Sequence, residues 1–296
     1  MNIFFAQWSN ILEQGLAYGI MALGIFITYR ILNFPDLTVD GSFPLGAAVS
    51  ALLITKGMNP YLTLLVAALA GAGAGLITGL IHVKGKVRDL LSGIITMTAL
   101  YSINLRLGGS NLHIFQYKTI FSNPIGGLLP NWLAPYGALI VIGLIALIVK
   151  VLMDLYLQTK AGYLLRAAGD NPTLVTSLAK DKGLVKIQGL MIANGMVALS
   201  GAIICQQQQF FEVSMGTGTM VMGLAAVIIG VNVFKKCSFL KSTTMVLIGA
   251  ILYKASIALT ITLGMDPKDF RLITAVLFLS ILLLSNTGKK GGEENA

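Results

Sequence analysis

The sequence predicts an all-α polytopic bundle of about nine transmembrane helices, one of them broken. Three observations lead there. Of the 296 residues, 55% are hydrophobic and 11% charged, against about a quarter charged in soluble domains; mean hydropathy is +0.81. The apolar residues fall into runs of the length, about 20 residues, that a helix needs to cross a bilayer. The cations cluster in separate loops: Lys84, Lys86 and Arg88; then Lys160, Arg166, Lys180, Lys182 and Lys186; then Lys235, Lys236 and Lys241; and Lys289 and Lys290 in the tail. A net charge of +9 distributed this way is the positive-inside pattern of cytoplasmic loops and argues against nucleic-acid binding.

The spans, in order, are Ile11–Tyr29, Tyr61–Ile81, Leu90–Leu107, Pro135–Tyr156, Ile187–Gln206, Thr217–Phe234, Thr243–Leu263 and Phe270–Asn286. A ninth, Phe43–Thr55, is too short to cross alone. It follows the polar, proline-interrupted stretch Asn33-Phe34-Pro35-Asp36-Leu37-Thr38-Val39-Asp40-Gly41-Ser42. This reads as a broken helix whose second part starts with Ser42 as cap and Pro44 in the first turn. Asp40 lies just ahead of that N-terminus, where the helix dipole favours negative charge.

The organisation is a first half (1–157), a cytoplasmic loop (158–186) and a second half (187–296). A basic tail places the C-terminus in the cytoplasm, and nine crossings then place the N-terminus outside. The loops at Lys56–Pro60, Gly108–Ala134, Gln207–Gly216 and Gly264–Asp269 face outward. No basic n-region or small-residue cleavage site opens the chain, so no removable signal peptide is expected. Phe34-Pro35-Asp36-Leu37 running into Gly46-Ala47-Ala48-Val49 echoes Phe211-Glu212-Val213-Ser214 running into Gly223-Leu224-Ala225-Ala226-Val227. The echo is either an inverted-topology repeat, as in many transporters, or the chance recurrence of Ala-Ala-Val.

Little points to chemistry on a substrate. The sequence lacks His-Glu-x-x-His, Gly-x-Ser-x-Gly and a phosphate-binding Gly-x-x-x-x-Gly-Lys-Ser/Thr loop, so any ATP and Mg must be bound by another chain. Cys205 and Cys237 belong to opposite faces and cannot pair, and with only two histidines no metal site is expected. All twelve acidic residues lie at span ends, in loops or in the Asp36/Asp40 break. That weighs against an ion-coupled secondary transporter with a carboxylate relay, and an intramembrane enzyme is a weaker alternative still.

Several side chains stand out. Lys254 falls mid-span and is expected to face inward, with Asp36 or Asp40 as partner. Asn104 and Asn194, also inside spans, are expected to hydrogen-bond neighbouring helices. Gly71, Gly73, Gly75 and Gly79 offer a small-residue packing face. Gln206–Gln209 form either a polar outer vestibule or a plain outward loop. In the cytoplasmic loop, Asp170-Asn171-Pro172 is a helix-start signal. The short helix would run to about Lys182, with Leu174, Val175 and Leu178 on one face. That face suits a groove in a partner protein, and equally the lipid surface or the chain's own bundle.

Gly162-Tyr-Leu-Leu-Arg-Ala-Ala-Gly-Asp-Asn-Pro-Thr-Leu-Val-Thr-Ser-Leu resembles the cytoplasmic loop of type II ABC importer permeases, closest to the branched-chain amino acid and sugar permease superfamily. Asn33-Phe-Pro-Asp-Leu-Thr-Val-Asp-Gly-Ser-Phe-Pro-Leu-Gly-Ala-Ala-Val is similar to the signature of a narrower branch, the tryptophan/tyrosine-type permeases. Phe210-Phe-Glu-Val-Ser-Met-Gly-Thr-Gly-Thr-Met-Val-Met-Gly-Leu-Ala-Ala-Val-Ile-Ile-Gly is a third match, and the resemblance covers nearly the whole chain. It implies a bacterial cell-membrane homodimer that works with two cytoplasmic ATPase subunits and an extracytoplasmic substrate-binding lipoprotein, and that imports a small solute, aromatic amino acids at family level. It implies a coupling role for Arg166, Asp170, Asn171, Pro172, Leu174, Val175 and Leu178. Asn33, Phe34, Pro35, Asp36, Thr38, Asp40, Ser42 and Lys254 are then expected along the translocation pathway, and Gln208, Gln209, Phe211, Glu212 and Ser214 at the outer turn. Where relatives tend to have glycine before that turn, this chain has glutamines.

Overall fold

A computed structural model describes residues 8–122, 136–171, 175–176, 181–235, 237, 239–262, 272, 275–276 and 279–280. Its helices are α1 (Trp8–Ile25, continued by a π-helical turn over Phe26–Ile31), α2 (Val39–Thr55), α3 (Pro60–Val83), α4 (Asp89–Gly108), α5 (Gly137–Leu157), α6 (Lys160–Asp170), α7 (Lys182–Gln208), α8 (Thr219–Val233) and α9 (Ser242–Thr262). Two three-residue strands, β1 (Asn111–His113) and β2 (Phe210–Glu212), pair antiparallel with Leu112 opposite Phe211. Among the described residues seven helices are long and apolar enough to cross a membrane, and Val39–Thr55 is a shorter apolar helix. The chain is thus a multi-pass membrane protein with an all-α bundle. The expected span Phe270–Asn286 lies mostly outside the described residues, as does Pro135.

Among the seven long helices α1 and α7 are the most enclosed, while most of α4 and α5 is not buried. Leu62, Leu65 and Leu69 on α3 and Leu144, Leu147 and Leu152 on α5 are exposed large apolar side chains, the surface that a hydrocarbon solvent tolerates and water does not. The loops after α3 and α8, together with α6, form one end of the bundle, here called the basic end. The β1–β2 ribbon marks the far end.

Small residues set the inner seams. β-Carbons on Gly71 and Gly75 would fall into the carbonyls of Asn194 and Leu190, and one on Gly79 would come within 2.9 Å of Ile187. Spacing of four residues keeps these three on one face of α3, flat against α7. Gly73 points elsewhere and meets nothing within 4 Å, so the expected four-glycine face is a three-glycine face. Gly15 and Gly19 of α1 do the same against Ile251 and Leu247 of α9. The helix pairs α3–α7 and α1–α9 therefore use the same device, each packing glycines of a first-half helix against a second-half helix.

Two expectations about local structure are corrected. α2 begins at Val39, not after Ser42, and Ser42 is no cap: its hydroxyl donates to Asn194 instead. Pro44 consequently lies inside the helix, where it leaves the Asp40 carbonyl without its usual donor. Gly216 packs directly on that carbonyl and on the proline ring. At the far end α7 runs through Gln208, beyond the expected Gln206, and Gln209 takes the left-handed conformation at φ 60°, the position where a glycine carries no steric penalty.

Replacing Gly75 by Leu should drive a side chain into the α7 backbone and destabilise the fold by roughly 1–3 kcal/mol or more. The same change at Gly73 should be nearly neutral. Monodispersity and melting temperature of the detergent-solubilised variants check this. Gln209→Gly should raise the melting temperature by relieving about 1–2 kcal/mol of left-handed strain.

Candidate functional site

The interior of an apolar bundle offers no water to free N–H and C=O groups, so an irregular segment there must be bonded by its neighbours. The chain breaks twice. After Ile31 it turns back and reaches Val39, the start of α2, beside the middle of α7. After β2 it runs through a 3₁₀ turn (Val213–Gly216) to the start of α8 at Thr219.

The first break is held by a clasp. Asp36 is buried, and its Oδ1 accepts from the Thr38 N–H at 2.9 Å. Its Oδ2 accepts from Asn194 Nδ2 at 2.7 Å. The other end of the Asn194 amide accepts from Ser42 Oγ at 2.8 Å, and Nδ2 also reaches Leu190 O. Thr38 and Thr78 share a hydroxyl–hydroxyl bond of 2.8 Å, tying the break to α3. One asparagine thus joins the two sides of the break to the central helix with all its polar atoms used. Phe34 is buried edge-on against His82, and Asn33, in the left-handed region at φ 50°, donates to Gly169 O of α6.

The second break is held by Asp40. Its Oδ1 accepts from Thr219 Oγ1 at 2.9 Å and Met220 N at 2.8 Å, and its Oδ2 from Gly218 N at 3.1 Å. Gly218 precedes α8 without any side chain to cap it, so Asp40 supplies the missing cap from across the bundle. It also occupies the first turn of its own helix. Two helix N-termini therefore converge on one carboxylate, a favourable place for negative charge. From this junction α2 runs to the far end, while α8 runs to the basic end. In the weak sequence echo, Phe34–Leu37 and Phe211–Ser214 precede these oppositely directed helices, and the Ala-Ala-Val segments lie within them.

Beside the junction lies a cavity of about 310 Å³ bordered by Asp40, Gly41, Pro44, Met97, Tyr101 and Asn104. Asn104 is fully buried; its Nδ2 donates to Gly41 O at 3.0 Å, while its Oδ1 has no partner among the described residues.

The remaining expected residues distribute as follows. Pro35 sits within the first break, half-buried. Lys254 does not meet Asp36 or Asp40: its Nζ lies 3.7 Å above the Tyr18 ring and 3.5 Å from Gln14 Oε1, bordering a separate pocket between α1 and α9. Both carboxylates that sequence reasoning offered it are already engaged by neutral donors. At the far end Phe211 is buried under β1, Gln208 is exposed, and Glu212 accepts from Ser214 Oγ. The glutamine run divides. Gln206 is buried and binds Ser50, Thr63 and Pro60 O while accepting from Ile120 N; Gln207 reaches Glu13 at 2.9 Å. At the basic end Arg166 and Asp170 are exposed on α6 and Asn171 ends it. Pro172, Leu174 and Leu178 lie outside the described residues. Val175 is fully buried in the chain's own core, so it faces the bundle and is not presented to a partner.

Sequence reasoning missed what Asn194 and Gln206 bind, and the reach of Asp40 to α8. The last left no local signal, because Thr217 and Thr219 are both residue types that cap helices and only the fold puts Gly218 at the cap position.

Residues 7–284 match the family described as "Branched-chain amino acid transport system / permease component". The chain is 43% identical over 279 residues to the tyrosine transport system permease protein of Clostridioides difficile, covering 94% of this chain and 90% of that one. It is 34% identical over 287 residues to an uncharacterized protein of Rickettsia prowazekii, covering 95% and 97%. A ribose import permease of Escherichia coli is 24% identical over 230 residues, covering 75% and 68%.

Asn194→Leu should strand both Asp36 and Ser42 in the interior, at roughly 1–3 kcal/mol per unsatisfied group, and yield little folded protein. Ser42→Ala leaves only Asn194 Oδ1 without its donor and should cost roughly 1–3 kcal/mol, less than the Asn194 change. The yield of monodisperse protein and its melting temperature distinguish the two; equal effects would contradict the clasp.

Proposed function

The chain belongs to the family of branched-chain amino acid transport system permease components, and on that premise we propose that it is the membrane-spanning subunit of an ATP-driven importer for an amino acid, aromatic in type. Among the structural features, the convergence of α2 and α8 on Asp40 carries this reading. Short helices meeting head to head inside a bundle, beside a polar-edged cavity, are how transporters build a solute path near the membrane midplane. The tyrosine system to which the similar permease from C. difficile belongs supplies the aromatic class.

In this reading the basic end faces the cytoplasm, by the positive-inside rule, and the β1–β2 ribbon faces out. The chain performs no reaction on its solute. Two copies line one pathway, and ATP and Mg belong to partner ATPase subunits that dock at the basic end. There Tyr163, Arg166 and Asp170 of α6 are exposed, and the stretch expected to couple the subunits is Asp170–Asp181. A substrate-binding lipoprotein delivers solute to the outer ribbon and to Gln208, Gln209 and Glu212. Nucleotide-driven closure of the ATPases pushes the coupling segment, and the path around Asp36, Thr38, Asp40 and Ser42 opens alternately to the two sides.

One observation favours an ion-coupled carrier instead, since Asp36 is a buried carboxyl at mid-bundle. Its two oxygens are taken by Thr38 N–H and Asn194, an arrangement that suits a fixed clasp better than a site that must load and release an ion.

The chain should co-purify with the ATPase encoded beside it. Tyr163→Glu/Arg166→Glu, which alters only exposed positions on α6, should keep the chain folded and lose the ATPase. A stable wild-type chain that never brings down an ATPase would overturn the importer reading in favour of ion-coupled uptake.

A further inference from the structure

The cavity at the helix junction has a chemical bias that its shape alone does not reveal. Its buried polar atoms are acceptors, while the hydroxyls of Tyr101 and Thr217 belong to exposed residues at its rim. The Asn104 amide has to point its nitrogen at the Gly41 carbonyl, which can only accept, and this leaves Oδ1 turned away from that bond, buried and without a donor. A buried acceptor with nothing to accept is costly and calls for an explanation such as a missing ligand. Gly41 is the neighbour of Asp40 in the chain, and Asp40, Gly41 and Asn104 are all lining residues of the same cavity. A carboxylate has about four lone-pair sites, of which the bonds from Gly218, Thr219 and Met220 use three. The opening for one further donor falls on Oδ2. Thr98, also on the wall, spends its hydroxyl proton on Ile94 O at 2.8 Å and is left as an acceptor too. Pro44, Met97 and Tyr101 supply an apolar and aromatic wall.

We infer that this cavity is a transit site for a primary ammonium attached to an apolar or aromatic body, with the ammonium between Asp40 Oδ2 and Asn104 Oδ1. An ammonium brings three donors and no acceptor, which is what the buried part of the wall lacks. A carboxylate or phosphate head would add acceptors to acceptors. The volume, about 310 Å³, is at the lower end for small-molecule sites, roughly 300 Å³. The charge of Asp40 is partly offset by the two helix N-termini, so the hold is weak, as a site that must release its ligand requires. The inference rests on the permease reading and deepens it: discrimination for the amine is built into the membrane subunit and is not left wholly to a binding protein.

The test uses the whole chain with Thr98→Cys, and with the exposed Cys237 replaced by Ser, in lipid nanodiscs. A water-soluble maleimide labels the new thiol in the presence of L-tyrosine, tyramine or 3-(4-hydroxyphenyl)propionate. The two amines should slow labelling by about threefold at twice their dissociation constant, and the acid without an amine should not. Adding Asn104→Leu should abolish the protection. Equal protection by the acid would overturn the inference, and so would no protection by any of the three. A thiol that never reacts would also overturn it, showing a space closed or filled by lipid. Tyrosine uptake by cells carrying the whole transport system separates the two levels. Undiminished uptake with Asn104→Leu removes the ammonium site and leaves the permease reading standing. Absence of ATP-dependent uptake with the wild-type chain removes the reading itself.

Discussion

Every part of this bundle answers to one constraint: a backbone that leaves helical geometry inside an apolar interior must have its polar groups bonded by protein. Two such departures occur at the same depth, and each is held by one side chain reaching from another element. Asn194 holds the Asp36–Ser42 break from α7, and Asp40 holds the start of α8 from α2. Without the first, α2 could not begin in mid-bundle. Without the second, α8 would start with bare N–H groups in an apolar surrounding. The functional geometry follows from these bonds rather than from any pre-existing groove.

The glycine seams make the clasps reachable. Asn194 can bond both Asp36 and Ser42 only because α3 and α2 lie close against α7, and β-carbons on Gly46, Gly71 or Gly75 would strike that helix's backbone or side chains. The same close approach recurs between α1 and α9 through Gly15 and Gly19. Packing in a membrane draws little from hydrophobic burial and depends on contact and hydrogen bonding. Small residues and buried amides are therefore two halves of one solution: the first brings backbones near, and the second uses the nearness.

Much of this was legible in sequence, for specific reasons. Spans and alternation of charge are set by solvent partitioning, which composition reports directly. The break around Pro35 and Asp36 was visible because polar residues interrupt an apolar run. Its exact joints were not, since Ser42 as cap and Ser42 as partner of Asn194 are equally good local chemistry, and only the fold chooses. Lys254 shows the same limit. An intramembrane cation demands a partner, and two acids were available on paper, yet the Tyr18 face and Gln14 satisfy it. Val175 fell on an apolar stripe that suits a partner groove or the chain's own core alike, and it lies in the core. Periodicity names a face without naming what covers it.

The two acids of the break illustrate how environment divides roles. Asp36 and Asp40 are four residues apart, on one short motif, yet one is enclosed by an amide and a single backbone N–H while the other sits on two helix N-termini. The first arrangement closes the carboxyl off by burial: each oxygen holds a donor, and the group joins the break to α7. The second leaves the carboxylate half-buried at the edge of a cavity with acceptor capacity to spare. A fixed joint and an open acceptor side by side are what a solute path at a helix junction needs, because the walls must hold their shape while the surface they present remains incomplete.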